Sequence, residues 1–250
     1  MNETMPAAAF LEEARHLPAL TADGLAELAP LVVLAPHPDD ESLGCGALIA
    51  AARAARLSVR VVLVSDGTGS HPGSKSHPPG KLQRLREREF ANALAALGAD
   101  PARRVCLGLR DTAVPLAGTR AFEQAVALLD AQLGETPSTI VTTWRHDPHR
   151  DHAATYALAR ALQERLKPQP RLLEYPVWGF ALPEDTRLAD GPPRGFTIEV
   201  EPHRERKERA IACHRSQTTG LITDVEGFRL EPAMIERSLE QPEVFLEMPA

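Results

Sequence analysis

Two short segments concentrate the side chains that bind metals and move protons. They are residues 36–41 (PHPDDE) and residues 144–152 (WRHDPHRDH). Imidazole and carboxylate together suit zinc, and also iron(II) or manganese. Three adjacent acids repel one another unless a cation offsets their charge, which favours a metal site in the first segment. The alternatives are that Asp39 or Asp40 only caps a following helix, and that the second segment is a polar surface loop.

A catalytic zinc needs three protein ligands and one position left to solvent. His37, Asp40 and His152 would supply three ligands. His149 lies three positions before His152 and shares a face with it if a helix begins there, so one imidazole can bind the metal while the other faces the substrate. Nearby carboxylates are predicted to orient these imidazoles by accepting their N–H groups. They are Asp147 and Asp151.

Both segments follow apolar stretches that are typical of buried strands. Short apolar runs alternate with amphipathic stretches along the chain, which predicts a parallel, doubly wound α/β sheet. In such a sheet the site lies outside the carboxyl ends of the strands, where both segments fall. We expect a single domain over residues 1–250, with its core at about residues 30–220. The predicted strands are 31–35, 59–64, 104–109, 139–143 and 172–178, and the predicted helices are 44–56, 81–97, 119–133 and about 151–166.

One segment after the second predicted strand has no periodicity. Residues 66–80 (DGTGSHPGSKSHPPG) are rich in Gly, Ser and Pro. They are interpreted either as a lid or substrate loop over the site or as a disordered surface insertion. We expect His71 and His77 to be plain polar residues of this loop, and Asp66 either to form a turn or to lie near the metal. Residues 180–195 are predicted to form a plain surface loop.

Composition excludes several other classes of protein. A formal net charge of -6 without runs of like charge argues against a nucleic-acid-binding surface. No apolar window is long enough for a membrane span, and the first residues do not resemble a signal peptide. Cys45, Cys106 and Cys213 are far apart and are predicted to be buried thiols in a reducing compartment, which favours the cytoplasm. The sequence leaves homo-oligomer formation open.

The two segments resemble the PIG-L/LmbE family of zinc-dependent N-acetylglucosaminyl deacetylases. That family has an [AP]HPDDE motif after its first strand, as at residues 36–41, and a later HPDH-like motif, as at residues 149–152. Arg150 stands where the family often has proline. The likeness spans about residues 30–220. It implies a Rossmann-like fold, a Zn²⁺ cofactor with Fe²⁺ as the alternative, and an N-acetylated sugar or glycoconjugate as substrate.

The resemblance also assigns roles to individual residues. By it, the metal ligands are His37, Asp40 and His152. Asp39 matches the general base, and His149 matches the histidine that polarises the carbonyl or stabilises the oxyanion; we expect His149 to be protonated if Asp147 or Asp151 accepts from its other nitrogen. Arg86 looks like the substrate-contacting arginine, although it equally fits a solvated helix arginine paired with Glu87 or Glu89. A further pattern similar to the family's comprises Lys207, His214, Ser216 and Gln217.

Several alternatives stay open. The activity could be that of an amidase on a sugar–thiol conjugate, or the chain could be a catalytically silent sugar- or metal-binding protein. Gly44 and Gly46 prompt a nucleotide-binding interpretation, but Ile49 stands where a third glycine is required. Trp144 and Trp178 are interpreted as either sugar-stacking or packing residues. Glu41 is predicted to be a structural hydrogen-bond acceptor, and His214 a candidate pocket residue.

Overall fold

The computed structural model describes residues 4–247. Its strands are β1 (Met5–Pro6), β2 (Leu31–Ala35), β3 (Val59–Ser65), β4 (Val105–Leu109), β5 (Thr139–Thr143), β6 (Arg171–Tyr175), β7 (Arg187–Leu188), β8 (Gly195–Ile198) and β9 (Glu243–Glu247). Its helices are α1 (Ala7–Ala14), α2 (Ala22–Glu27), α3 (Asp40–Ala54), α4 (Pro79–Ala96), α5 (Arg120–Gln132), α6 (Arg150–Arg165), α7 (Arg204–Cys213), α8 (Arg215–Thr218) and α9 (Pro232–Glu240).

Seven strands form a mostly parallel sheet in the order β4-β3-β2-β5-β6-β9-β8. The first five strands of that order run parallel, which confirms the predicted fold class. β9 runs antiparallel to both β6 and β8, and neither β8 nor β9 is predicted from the sequence. These two strands are short and are separated by helices α7 to α9, so no hairpin pattern marks them. The sheet therefore includes residues up to 247, beyond the core predicted at about residues 30–220.

Strand order reverses between β2 and β5. From β2 the chain moves outward through β3 to β4, and it then returns to the other side of β2 to place β5 and β6. A crevice opens at such a reversal, outside the carboxyl ends of the two central strands. Residues 36–41 follow β2 and residues 144–152 follow β5, so the topology brings both segments to this crevice.

Helices cover both faces of the sheet and form two apolar layers. Alternate residues of β2 point to opposite layers, since Val33 belongs to one core cluster and Val32 and Leu34 belong to the other. The first layer includes residues of α3, α4 and α7, and the second includes residues of α5 and α6. A smaller cluster joins α1 to Trp144, which is fully buried, so this tryptophan packs and does not face the site.

Expectations for two regions outside the site need correction. Cys45 is buried as predicted, but Cys106 is exposed, because it lies on the edge strand β4, and Cys213 is partly exposed at the end of α7. The predicted surface loop at residues 180–195 contains β7, which pairs with β1. None of the helices described is long and apolar enough to cross a membrane.

Candidate active site

The residue that joins β2 to α3 has an unusual backbone. Asp39 adopts φ 131°, in a region that costs a non-glycine residue conformational energy. Two buried side chains hold it there. The Asp39 N–H donates to Glu41 Oε2 at 3.0 Å, and Arg86 Nη2 donates to the carbonyl of Pro38 at 2.7 Å. The strained conformation of Asp39 therefore persists because hydrogen bonds with Glu41 and Arg86 fix the backbone on both sides of the turn.

Glu41 acts as a structural acceptor, as the sequence predicts. Its carboxylate is fully buried and also accepts from Ser42 Oγ at 2.6 Å and from His214 Nε2 at 2.8 Å. His214 thus lies beneath the turn and is absent from the lining of the catalytic pocket. It supports Asp39 indirectly, through Glu41.

The Asp39 carboxylate lies in the pocket and is only 5% exposed as a residue. Burial raises the pKa of this carboxyl to about 7, although the Arg86 guanidinium acts in the opposite direction. Arg86 Nη2 donates to Asp39 Oδ2 at 3.1 Å. A carboxyl group with a pKa near neutrality is suited to accept a proton and return it.

Arg86 differs from both sequence interpretations. It is 2% exposed, so it is not a solvated helix arginine, and its partners are Asp39, the carbonyl of Pro38 and the carbonyl of Gly67 rather than Glu87 or Glu89. Its side chain lines the pocket, but these partners already occupy its guanidinium. Substrate contact by Arg86 remains a prediction, and its observed role is to hold the Asp39 turn.

The three predicted metal ligands come together in the crevice. Asp40 Oδ2 lies 3.2 Å from His37 Nδ1 and 3.3 Å from His152 Nε2. The rings of His37 and His152 have centroids 5.5 Å apart. The topology thus places two imidazoles from distant segments on either side of one carboxylate oxygen.

His152 is oriented by a buried carboxylate. Its Nδ1–H donates to Asp147 Oδ2 at 2.9 Å, while its buried Nε2 makes no hydrogen bond with any described residue. A histidine held at one nitrogen by a carboxylate, with the other nitrogen free, has the arrangement that metal ligands show in proteins. Asp147 is therefore the carboxylate that orients this ring.

The Asp151 carboxylate lies beside His37, a predicted metal ligand, rather than beside the two histidines that are near it in the sequence. Its carboxylate accepts the N–H groups of Thr112 at 2.7 Å and Val114 at 3.2 Å, and Asp151 Oδ2 lies 3.3 Å from His37 Nε2. Asp111 Oδ1 lies at the same distance from that nitrogen. The carboxylate of Asp151 thus lies against the imidazole of His37, and it makes no described hydrogen bond with the ring of His149 or His152.

The donor set of the crevice fits a divalent metal ion. Two groups of side chains each have ligand atoms within 4.8 Å of one another, namely His37, His149 and His152, and His37, Asp111 and Asp151. Buried carboxylates so close together need a cation to offset them. With the free Nε2 of His152, these imidazole and carboxylate donors suit zinc, and also iron(II).

Charge in the cluster shifts the pKa of its members strongly. Burial lowers the pKa of His37, but hydrogen bonds with Asp111, Asp151 and Asp40 outweigh it and raise that pKa well above its ordinary value. His152 behaves alike, because the Asp40 carboxylate overcomes burial and raises its pKa to about 9. These directions describe a site whose carboxylates favour positive charge in their midst.

His149 lines the pocket, and the hydrogen bond that its ring accepts determines which nitrogen carries the proton. Its Nδ1 accepts the N–H of Asp151 at 3.2 Å, as the N-cap of α6, so no carboxylate accepts from this nitrogen. Burial lowers the pKa of His149, and the neighbouring His37 and His152 lower it further. Because Nδ1 accepts this N–H, the ring carries its proton on Nε2, and the condition for a protonated ring, a carboxylate that accepts from this nitrogen, is not met.

The pocket is a cavity of about 150 Å³. Residues of the 66–80 segment, Gly69 and Ser70, lie over it, so this segment covers the site and is not a detached surface insertion. Whether it moves as a lid remains a prediction. The lining residues are His37, Asp39, Asp40, Gly69, Ser70, Arg86, Asp111, Thr112, His149, Trp178 and Phe228.

Polar residues of the covering segment have structural roles. Asp66 Oδ1 accepts from the backbone and hydroxyl of Thr68 and from the N–H of Asp111, which supports the turn interpretation. His71 is buried, contrary to expectation, and its Nδ1 lies 3.1 Å from Ser70 Oγ. His77 bonds to its neighbour Ser76, as a plain polar residue would.

Asp111 is the site residue that the sequence analysis missed. It follows β4 at the same edge of the sheet, and its Oδ2 accepts the N–H of Gly69 at 2.8 Å. The signal that could have found it is its position, since a carboxylate two residues after a predicted parallel strand belongs to the ligand-binding edge.

A comparison with known families identifies this crevice. The model of the PIG-L family, described as GlcNAc-PI de-N-acetylase, matches residues 32–163, which is more than half of the chain and includes both segments. The chain belongs to the PIG-L family. The match begins in β2 and ends in α6, so it covers the topological switch and the residues on both of its sides.

Individual relatives agree with this PIG-L assignment. A Bacillus subtilis (strain 168) protein named "probable N-acetyl-alpha-D-glucosaminyl L-malate deacetylase 2" is 29% identical over 205 residues, which cover 78% of this chain and 86% of the relative. The conserved protein TT1542 of Thermus thermophilus superposes with a TM-score of 0.62 at 27% identity, over 87% of this chain and 93% of its own.

A more distant relative shares the fold. The N,N'-diacetylchitobiose deacetylase of Pyrococcus horikoshii superposes with a TM-score of 0.64 at 22% identity, over 88% of this chain and 83% of its own. At that identity the similarity shows the PIG-L fold alone.

Proposed function

We propose that this protein is a metal-dependent deacetylase that hydrolyses the N-acetyl group of an amino-sugar conjugate. The observation that carries the proposal is the free, buried Nε2 of His152 beside Asp40 Oδ2, with the Asp39 carboxylate in the same pocket. A metal site next to a carboxyl group suited to proton transfer is what amide hydrolysis requires.

His37, Asp40 and His152 would hold the ion, which we propose to be Zn²⁺, with Fe²⁺ as the alternative. When bound, such an ion acts as a Lewis acid, which makes water more acidic and an amide carbonyl more electrophilic. Asp147 and Asp151 act on the ligand histidines, because Asp147 fixes the ring of His152 and Asp151 lies against His37 Nε2.

Asp39 would take a proton from the attacking water and give it to the leaving amine. Its fixed backbone and its bond from Arg86 set the direction of the carboxylate, so little reorganisation is needed when the proton moves. His149 would donate Nε2–H to the oxygen that gains charge in the tetrahedral intermediate, since its Nδ1 is already an acceptor.

The substrate class follows from the family and its members. The Bacillus subtilis relative is named for an N-acetylglucosaminyl malate, and the Pyrococcus horikoshii enzyme for an acetylated disaccharide. We propose that this chain, too, acts on an N-acetylated sugar joined to a second group. An amidase acting on a sugar–thiol conjugate would use the same residues, so only substrate profiling separates the two activities.

Acetate release from a panel of N-acetylated sugars, glycolipids and sugar–thiol conjugates tests the proposal. The protein is first stripped with a chelator and then reconstituted with Zn²⁺ or Fe²⁺, and bound metal is counted in the same samples. We expect acetate release that is lost with the metal and restored by it. Binding of sugars by the metal-loaded protein without acetate release from any of them would instead identify a silent homologue.

A further inference from the structure

A second cavity lies outside the catalytic pocket, where α3, α9 and the segment that follows β6 meet. It has a volume of about 60 Å³, and none of the described residues that line it also lines the catalytic pocket. Three of its lining residues carry a positive charge, namely Arg15, Lys207 and Arg237. We call it the basic cavity.

Lys207 brings a buried ammonium group to the basic cavity. Its side chain is fully buried, and its Nζ donates to Glu243 Oε1 at 2.6 Å. An ammonium has three N–H donors, and the other two make no hydrogen bond with any residue that the structure describes. A buried charged donor without an acceptor is costly. Because Lys207 lines the cavity, a ligand there can supply the missing acceptor.

Glu243 is the sole acid among the described residues of the lining, and its oxygens are already occupied. Besides the bond from Lys207, Oε1 accepts the N–H of Ala47 at 2.7 Å and Oε2 accepts the N–H of Leu48 at 2.9 Å. Three donors thus hold this carboxylate against α3 and α7. Its charge offsets that of Lys207 and leaves the two arginines of the cavity uncompensated from within the lining.

These two arginines lie against one aromatic ring. The Cζ atoms of Arg15 and Arg237 each lie 4.8 Å from the ring centroid of Phe180. Arg15 Nη1 donates to Glu12 at 2.6 Å, but its buried Nε has no partner among the described residues. The guanidinium of Arg237 makes no hydrogen bond or ion pair with any of them. Two neighbouring cations repel each other unless an anion lies close by, so the arrangement favours an anionic ligand.

The size and the walls of the basic cavity indicate which anion fits. Its volume holds roughly four to six groups of the size of a water or a methyl. Apolar side chains form part of the wall, among them Leu43, Val177, Met234 and Val244. An inorganic anion would give up hydration to these side chains without a return. A carboxylate with a short carbon chain can instead accept from the cations and place its chain against the apolar wall.

We infer that the basic cavity is a binding site for a short-chain monocarboxylate, of the size of acetate to butyrate. The carboxylate group is bound by Arg15, Lys207 and Arg237, and the carbon chain packs on the apolar wall. This site is separate from the catalytic pocket, and the inference does not depend on the proposed deacetylase activity.

A methionine of the lining gives a local readout of binding. Met234 lines the basic cavity, and no methionine among the described residues lines the catalytic pocket. Zinc-loaded protein labelled with [methyl-¹³C]methionine is titrated with sodium butyrate in a buffer free of other carboxylates. The Met234 signal, assigned with the Met234→Leu variant, should shift and saturate. Butyramide has the same size without the charge and should leave the signal in place.

Two variants test the contribution of the cations. Arg237→Gln and Arg15→Gln should each weaken butyrate binding about 10–100-fold in the same titration, because each removes a charged hydrogen-bond donor. Substitution of Lys207 would leave Glu243 buried without its cation, so the arginines are the positions to change. Arg209→Gln is the matched control, since Arg209 lies on α7 with its side chain 59% exposed and does not line the cavity. It removes the same charge and should leave the affinity unchanged.

Metal-stripped protein is titrated as well, because zinc in the catalytic pocket can itself bind a carboxylate. The Met234 shift and the affinity should be the same without the metal. A shift that requires zinc would place butyrate at the metal and overturn the inference.

Four other results would also overturn it. They are no Met234 shift at the highest soluble butyrate concentration, an equal response to butyramide, equal affinities of the Arg237→Gln and Arg209→Gln proteins, and displacement of butyrate by an equal concentration of sulfate. None of these measurements uses acetate release. A protein that binds butyrate in this way and deacetylates no substrate would therefore contradict the proposed function alone.

Discussion

Asp147 Oδ2 accepts the Nδ1–H of His152 at 2.9 Å, and the same oxygen accepts the N–H of Val177 at 3.0 Å. One buried carboxylate thus joins a proposed metal ligand to the segment that follows β6. Two further backbone donors, the N–H groups of Val177 and Trp178, hold this carboxylate in place, so the ring of His152 cannot turn without breaking its bond to a fixed acceptor. The orientation of His152 is therefore set by the fold and not by the metal alone.

The Asp147→Asn variant tests this relationship. Asparagine keeps the shape of the side chain but offers one acceptor oxygen to three N–H groups, so the ring of His152 loses its fixed orientation. We expect metal affinity to fall about 10–100-fold, as is usual when such an outer partner of a ligand is changed. The measurement is a competition titration against a chromogenic chelator.

Asp190→Asn is the matched control for that experiment. Asp190 pairs with Arg145 and His146 in the same segment but does not contact His152. Its substitution should leave metal affinity unchanged. A folded Asp147→Asn protein with wild-type affinity would show that Asp147 does not orient the ligand.

Much of this arrangement follows from local sequence, and the rest depends on distant contacts. The apolar run at 31–35 and the motif that follows it predict β2 and the first side of the crevice, because strand and turn are encoded within about ten residues. The burial of Arg86 is different, since its partners are carbonyls at Pro38 and Gly67, which no helical periodicity reveals. The same holds for His149, whose Nδ1 is occupied by a helix-capping bond that becomes visible only with the backbone of α6.

Two carboxylates compete for the role of metal ligand beside His37. Asp40 Oδ2 lies 3.2 Å from Nδ1 of this ring, and Asp111 Oδ1 lies 3.3 Å from its Nε2. We propose Asp40 as the ligand, because the free Nε2 of His152 lies beside the same oxygen. Asp40→Asn should therefore weaken zinc binding by more than about 100-fold, beyond the effect expected of an outer partner.

Asp111→Asn serves as the comparison and should retain stoichiometric zinc. Elemental analysis of both purified variants, after reconstitution and gel filtration, gives the answer. The reverse result, with zinc retained by Asp40→Asn and lost from Asp111→Asn, would move the ion to the side of His37 that faces Asp111 and Asp151.

Asp39 is proposed to move protons without holding the metal. Asp39→Asn should keep zinc at wild-type stoichiometry and lower kcat about 10²–10⁴-fold, the range that general acid–base catalysis contributes. Acetate release and metal content are measured on the same sample. A zinc-loaded Asp39→Asn protein with wild-type turnover would remove Asp39 from the mechanism.

His149 is proposed to act on the developing oxyanion through Nε2–H. His149→Ala should lower kcat about 10²–10³-fold, as the loss of one such donor does. His149→Gln can place a side-chain amide donor in the same region and should recover part of the rate. Because His149 is also within reach of a shared ion with His37 and His152, zinc content is the control, and its loss would identify His149 as a ligand instead.

The glycines of α3 serve packing, which accounts for the Gly44-Cys45-Gly46 pattern without a nucleotide. A Cβ at Gly44 would lie 2.3 Å from Cδ2 of Tyr175, whose hydroxyl donates to the carbonyl of Leu34. Tyr175 is fully buried and fixed at both ends, so it cannot yield to an added methyl group. Gly44→Ala should therefore lower the free energy of unfolding by about 1–3 kcal/mol, the usual effect of overpacking.

Gly80→Ala is the matched control, because the nearest atom to a Cβ at that position is an arginine nitrogen at 3.6 Å. Its free energy of unfolding should be unchanged or slightly raised. Urea unfolding of the wild type and the two variants measures both effects. If Gly44→Ala unfolds at the same urea concentration as the wild type, α3 does not pack against Tyr175 as closely as described, and the glycine pair needs another explanation.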